Sequence, residues 1–170
     1  MSAVTQQHTQ RLEDILRGLM AEHETLIELT SKHREALRAS DATEMSRIAA
    51  RRSAVNARIV ELDRQRAELV SELAQALDMQ GAGMTVRALI AAIGGQPAKQ
   101  LSSLAEKLRQ LIEKARIEQA ALRDATAAVA GHLGGVLTQV VRTCSVGQTY
   151  NARGKMAPGT AMPAAMDLRH

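Results

Sequence analysis

From Thr5 to Ala39 one set of positions returns at alternating steps of four and three: Leu12, Leu16, Leu19, His23, Leu26, Thr30, His33 and Leu37. That is a heptad seam, the repeat that keeps one face of a helix turned toward a neighbour. Ile15, Met20, Ile27 and Leu29 widen the stripe, which predicts a helix buried in a bundle more than a two-stranded zipper. A turn follows at Ala39-Ser40-Asp41. Asp41, with Glu44 three residues on, predicts a capping-box-like start, the Asp41 carboxylate accepting an otherwise orphan amide of the next helix. That second helix is expected from Ala42 to about Met79, antiparallel to the first. Its seam runs through Met45, Ile48, Arg52, Val55, Ile59, Leu62, Arg66, Leu69, Leu73 and Ala76. Gln80-Gly81-Ala82-Gly83 is expected to stop it, because glycine reaches the left-handed conformations that close a helix C-terminus. Thr85 then caps a short apolar helix, Val86 to Ile93. Val86, Leu89, Ile90 and Ile93 cover one face of it, so it is predicted to plug one end of the bundle before Gly94-Gly95-Gln96-Pro97 ends it.

The last helix is expected to begin near Ala98, with Leu101, Leu104, Leu108, Leu111, Ala115, Leu122, Ala125, Val129, Val136 and Val140 on one seam. Its second half changes character: from Ala120 to Gly135 it is rich in alanine and glycine, and each interior glycine costs about 1 kcal/mol against alanine. This predicts fraying or a bend near Gly134-Gly135, with Leu133 to Cys144 only conditionally helical. After Ser145 the periodicity stops, and Gly147, Gly154, Pro158, Gly159 and Pro163 predict a flexible tail that also carries Met156, Met162 and Met166. The fold class is therefore all-α: an elongated antiparallel helical bundle or coiled coil of three long helices plus one short helix, with a flexible C-terminal tail. In domain terms, 1–145 is a helical bundle and 146–170 the tail.

Composition sharpens this picture. The 170 residues are 45% apolar and 24% charged, and the single aromatic is Tyr150, with no Phe and no Trp. An interior built without the rings that usually bury roughly 150 to 250 Å² each fits long helices better than a compact globule. It also marks Tyr150 as a contact residue instead of core filler. One cysteine, Cys144, excludes an internal disulfide framework, and no charged-then-apolar leader opens the chain, so a reducing cytoplasm is expected. No apolar run reaches the roughly 18 to 20 residues that span a bilayer, which predicts a soluble protein, not membrane-embedded. The net charge of +4 comes from 22 basic and 18 acidic residues interleaved along the chain, a pattern of solvated helix faces.

Candidate chemistry is sparse. Histidines 8, 23, 33, 132 and 170 never pair at i and i+4 and do not cluster with the cysteine, so no metal site is expected. Cys144 follows a predicted helix instead of opening one, where no amide dipole would lower its pKa. The Gly-Gly pairs lack a phosphate-cradling frame. No catalytic residue and no cofactor is expected, and the chain reads as a non-enzyme. Arg51, Arg52, Arg58, Arg64 and Arg66 form the most basic stretch, but Glu61, Asp63, Glu68 and Glu72 interleave with it and stacking aromatics are absent, so solvated faces and pairing within the bundle outweigh nucleic-acid binding. At seam positions, Arg52 and Arg66 either snorkel or pair with seam-edge acids of the neighbouring helix. The sharpest constellation is Leu133, Val136, Leu137, Val140 and Val141, apolar at i, i+3, i+4, i+7 and i+8. It is either a stripe for a partner helix or the end of the bundle core.

The order long helix, capped long helix, short apolar helix, long helix, then Tyr150-Asn151-Ala152-Arg153-Gly154 in a flexible tail resembles the FlgN family of flagellar type III export chaperones. The match runs from Leu12 to about Lys155, with added support from the leucine-rich seam that leads into Ala36-Leu37-x-x-x-Asp41. The resemblance implies a cytoplasmic chaperone that holds the amphipathic terminal helix of flagellar hook-filament junction (hook-associated) proteins and delivers them to the type III export gate. Carried onto this chain, client binding falls on Leu133, Val136, Leu137, Val140 and Val141, and docking to the cytoplasmic domain of the export gate on Tyr150 with Gly154. The alternatives are a basic helical coiled-coil protein associating with nucleic acid, or a structural coiled-coil oligomer; self-association stays open.

Overall fold

The computed structural model describes residues 3–76 and 85–146, with side chains over 6–76 and 85–143. Four helices follow one another: α1 (Ala3–Arg38), α2 (Ala42–Ala76), α3 (Val86–Ile93) and α4 (Gly95–Val146). No strand occurs among the described residues, so the all-α class with three long helices and one short one holds. The expected stop at Gln80–Gly83, the end of the second helix near Met79 and the tail from Gly147 onward lie outside the described residues. The described chain divides into two compact units, one ending at Ala125 and one beginning at Thr126.

The first unit is organised by the α1–α2 hairpin. Helix α1 closes with the Ser40 amide bonding the Leu37 carbonyl at 3.1 Å and the Asp41 amide bonding the Ala36 carbonyl at 3.0 Å. This is the paired arrangement that satisfies the last carbonyls of a helix when the residue after the cap turns left-handed. Ser40 occupies that position with φ 55, where a side chain costs about 1 kcal/mol or more relative to glycine. Asp41 then starts α2: its Oδ1 accepts the Glu44 amide at 2.9 Å, as the sequence predicts. The reciprocal half of the capping box is missing, since the Glu44 carboxylate turns to Arg47 at 2.8 Å and the Asp41 amide is already spent on Ala36.

Cross-helix pairs fix the hairpin as antiparallel. Glu22 Oε1 accepts from Arg58 Nε at 2.8 Å, His33 Nδ1 lies 3.4 Å from Arg52 Nη1, and His8 Nε2 lies 3.7 Å from Glu72. Gly18 faces Leu62, and a Cβ built on it would sit 3.4 Å from a Leu62 methyl. The seam residues Leu12, Leu16, Leu19, Leu26, Thr30, Ile48, Val55, Leu69 and Leu73 are buried. Thr30 tolerates this because its hydroxyl donates to the Leu26 carbonyl at 2.7 Å inside its own helix, so that the buried hydroxyl is itself satisfied. At the far end of the predicted α2 seam, Ala76 is exposed and Ala74 is buried in its place, because a straight helix drifts off a strict seven-residue repeat.

Helix α3 starts as predicted, Thr85 Oγ1 accepting the Ala88 amide at 3.2 Å. Leu89 and Ile90 are buried in the same cluster as Leu12, Leu16, Leu19, Leu69, Leu73, Leu101 and Leu108, with Val86 and Ile93 packed against it. The short helix thus closes the open end of the hairpin. Gly94 and Gly95 both turn to positive φ, 65 and 67, so α4 starts three residues before the Ala98 expected. Pro97 sits in its first turn, where no amide is required. Leu101, Leu108, Ala115 and Leu122 are buried, and Arg34 of α1 pairs with Glu118 at 3.0 Å, so α4 runs parallel to α1 through this unit.

Candidate functional site

The second unit contains the end of α4. Helix runs without interruption through Gly134 and Gly135 to Val146, and neither glycine takes a positive φ. Glycine weakens a helix but does not forbid it, and the surrounding alanines are the best helix formers available. Thr138 and Thr143 donate their hydroxyls to the carbonyls four residues back, at 2.9 Å each.

A continuous helix brings Leu133, Val136, Leu137, Val140 and Val141 onto one face, an arc of roughly 140° at 3.6 residues per turn. They do not finish a core. Their exposures are 62%, 48%, 64%, 51% and 59%, and every described side chain from Thr126 to Thr143 is exposed. Val129, at 41% exposure, falls on the same arc and extends the stripe by a turn; its place on the predicted α4 seam was the signal for it. From 126 to 143 the chain has no acidic residue, and its one lysine or arginine is Arg142. On the flank a shallow groove of about 520 Å³ opens between His132, Val136, Gln139 and Val140, floored by Gly131 and Gly135. An exposed apolar face of this extent with little charge is the kind of surface that an amphipathic helix can cover. Tyr150 and Gly154 lie outside the described residues, and of Cys144 only its place in α4 is described.

Three arginines of the basic stretch of α2 pair with acids. Arg58 pairs with Glu22, Arg64 with Glu61 at 2.7 Å and with Glu68, and Arg66 with Asp63 at 2.8 Å. Arg64, then Gln65, hold the Glu61 carboxyl down to about 2. The two seam arginines choose partners other than the neighbouring-helix acids: Arg66 pairs within α2, and Arg52 faces His33. Partial burial, then the Arg52 charge, lower the His33 pKa, and burial lowers that of His23. Among the described residues no cluster of three or more metal-ligating side chains occurs, and no helix is long and apolar enough to cross a membrane.

No curated protein and no solved structure matches the chain. One family model does, described as FlgN protein, over residues 1–158. That span takes in the hairpin, the plugging helix, the whole of α4 and the Tyr150–Gly154 segment, and the chain therefore belongs to the FlgN family of flagellar export chaperones.

Proposed function

We propose that the chain acts in the cytoplasm, holding the amphipathic terminal helix of hook-filament junction proteins on Leu133, Val136, Leu137, Val140 and Val141, and that Tyr150 with Gly154 docks the loaded complex on the cytoplasmic domain of the export gate. The observation that carries the first half is the exposure of all five side chains on one face of an unbroken helix. Each fully buried aliphatic side chain is worth about 1.5 to 3 kcal/mol, so a client helix that covered this stripe would recover a gain the free chain forgoes. The client gains likewise, because its own apolar face is hidden before secretion. The second half rests on the family and on the isolation of Tyr150 as the one ring in the sequence. A segment ordered only on engagement would bind weakly and release, which transfer requires.

The test is co-purification from a flagellated host extract with the full chain, a truncation after Gly131 and Tyr150→Ala. Truncation should lose the junction proteins. Tyr150→Ala should keep them and lose the export-gate domain. Recovery of the same proteins by all three would refute this assignment.

A further inference from the structure

The first unit has a second surface, built from different residues, that the chaperone reading does not use. Where α2, α3 and the start of α4 converge, a cleft of about 940 Å³ opens with Arg66, Arg87 and Arg109 on its rim and Val86, Ile90 and Ala105 among its lining. It exists because α3 is only two turns long and turns Leu89 and Ile90 into the core, which leaves Val86 half-buried at the edge beside the small Ala105.

Among the described residues the cleft carries more basic than acidic side chains. Three guanidiniums among the described residues line it with one carboxylate, Glu106, and Asp63 stands behind Arg66. Arg109 is held by Glu106 through Nε at 3.0 Å and Nη2 at 2.9 Å, and Arg66 by Asp63 through Nε at 2.8 Å. Both contacts lie within one helix turn, so they fix the arginine side chains in place, and each fork keeps further N–H donors for a second acceptor. Arg87 has no ion-pair partner among the described residues. Donors held in place in advance lose less freedom when a ligand arrives.

We propose that this cleft binds an acidic, amphipathic segment of a partner protein, its carboxylates on Arg87, Arg66 and Arg109 and an apolar side chain on Val86 and Ala105. A peptide fits better than a nucleic acid. The lining has no ring for a base to stack on, and Val86, Ile90 and Ala105 give an apolar side chain a contact that a phosphate backbone cannot use. The proposal goes beyond the client stripe and stands or falls separately from it.

The experiment measures anisotropy of a short fluorescein-labelled peptide of glutamate and leucine titrated with the full chain. Saturable binding is expected, weakened about tenfold by Arg87→Glu, the loss of one charge-assisted hydrogen-bonding partner, and weakened less by Arg87→Gln. Arg51→Glu makes the same charge change on the exposed face of α2 and should leave binding within twofold of the unaltered chain. Far-ultraviolet dichroism should be unchanged in all three, since Arg87 is exposed. Equal losses in Arg87→Glu and Arg51→Glu would reduce the effect to overall charge and overturn the proposal. So would absence of binding, or tighter Arg87-dependent binding of a single-stranded oligonucleotide.

Discussion

Gly131 and Gly135 give the most direct test of what holds the end of α4. Each lies two residues from Leu133, so at about 100° per residue both sit roughly 160° around the helix from it, opposite the apolar stripe. A Cβ added to either would meet nothing within 4 Å, so alanine there carries no steric cost. What remains is the intrinsic preference, about 1 kcal/mol per glycine in favour of alanine. The double variant Gly131→Ala, Gly135→Ala should therefore stabilise this section by about 2 kcal/mol, or about 30-fold in the opening equilibrium. Amide hydrogen exchange reads that equilibrium directly for segments that open locally. Protection of amides from Thr126 to Thr143 should rise by about that factor, while amides of α1 and α2 stay as they were. Unchanged protection over 126–143 would refute the reasoning. Because the apolar face is untouched, client capture should persist in the same variant; its loss would move the contact onto the glycine side.

Leu73→Ala empties a site with 0% exposure in the cluster that joins all four helices, and should cost about 3 kcal/mol of unfolding free energy in a urea titration; less than about 1 kcal/mol would mean the cluster does not close the bundle. Burial lowers the pKa of His23 and of His33 from the ordinary 6.5, with Arg52 adding to the effect at His33. The unfolded chain then takes up these protons before the folded one, so their contribution is intact above about pH 6.5 and is lost as pH falls below it toward the lowered folded values. The urea midpoint should drop between pH 7.5 and 5.5, and drop less in His23→Gln, His33→Gln; an equal drop in both chains would clear the histidines of this role.

What the sequence made legible follows from how local the causes are. The seams of α1 and α2, the Asp41 and Thr85 caps and both ends of α3 depend on residues within a turn or two of each other, and they appear as read. Helix continues through Gly134-Gly135 because a propensity difference of about 1 kcal/mol lowers the stability of a helix without ending it. Ala76 misled because a strict heptad count was carried past the length over which a straight helix follows it. Partner choice was harder still: Arg66 finds Asp63 in its own helix and Arg52 finds a histidine, and neither outcome is fixed by seam position. The five stripe residues were named from spacing, but their exposure depends on nothing packing over them, which a periodicity cannot say. The arginine cleft was out of reach altogether, since Arg66, Arg87 and Arg109 stand on three helices and meet only once α3 has turned into the core.

The aliphatic interior has a spectroscopic consequence. The buried side chains are Leu, Ile, Val, Ala and Thr, and no aromatic residue occurs anywhere before Tyr150. Near-ultraviolet dichroism and intrinsic emission are therefore silent for the packing of all four helices, and unfolding of the bundle must be followed through the backbone. The same silence leaves Tyr150 as a background-free native fluorophore: a change in its emission when a partner is added reports on the surroundings of that one residue, without labelling and without interference from the rest of the chain.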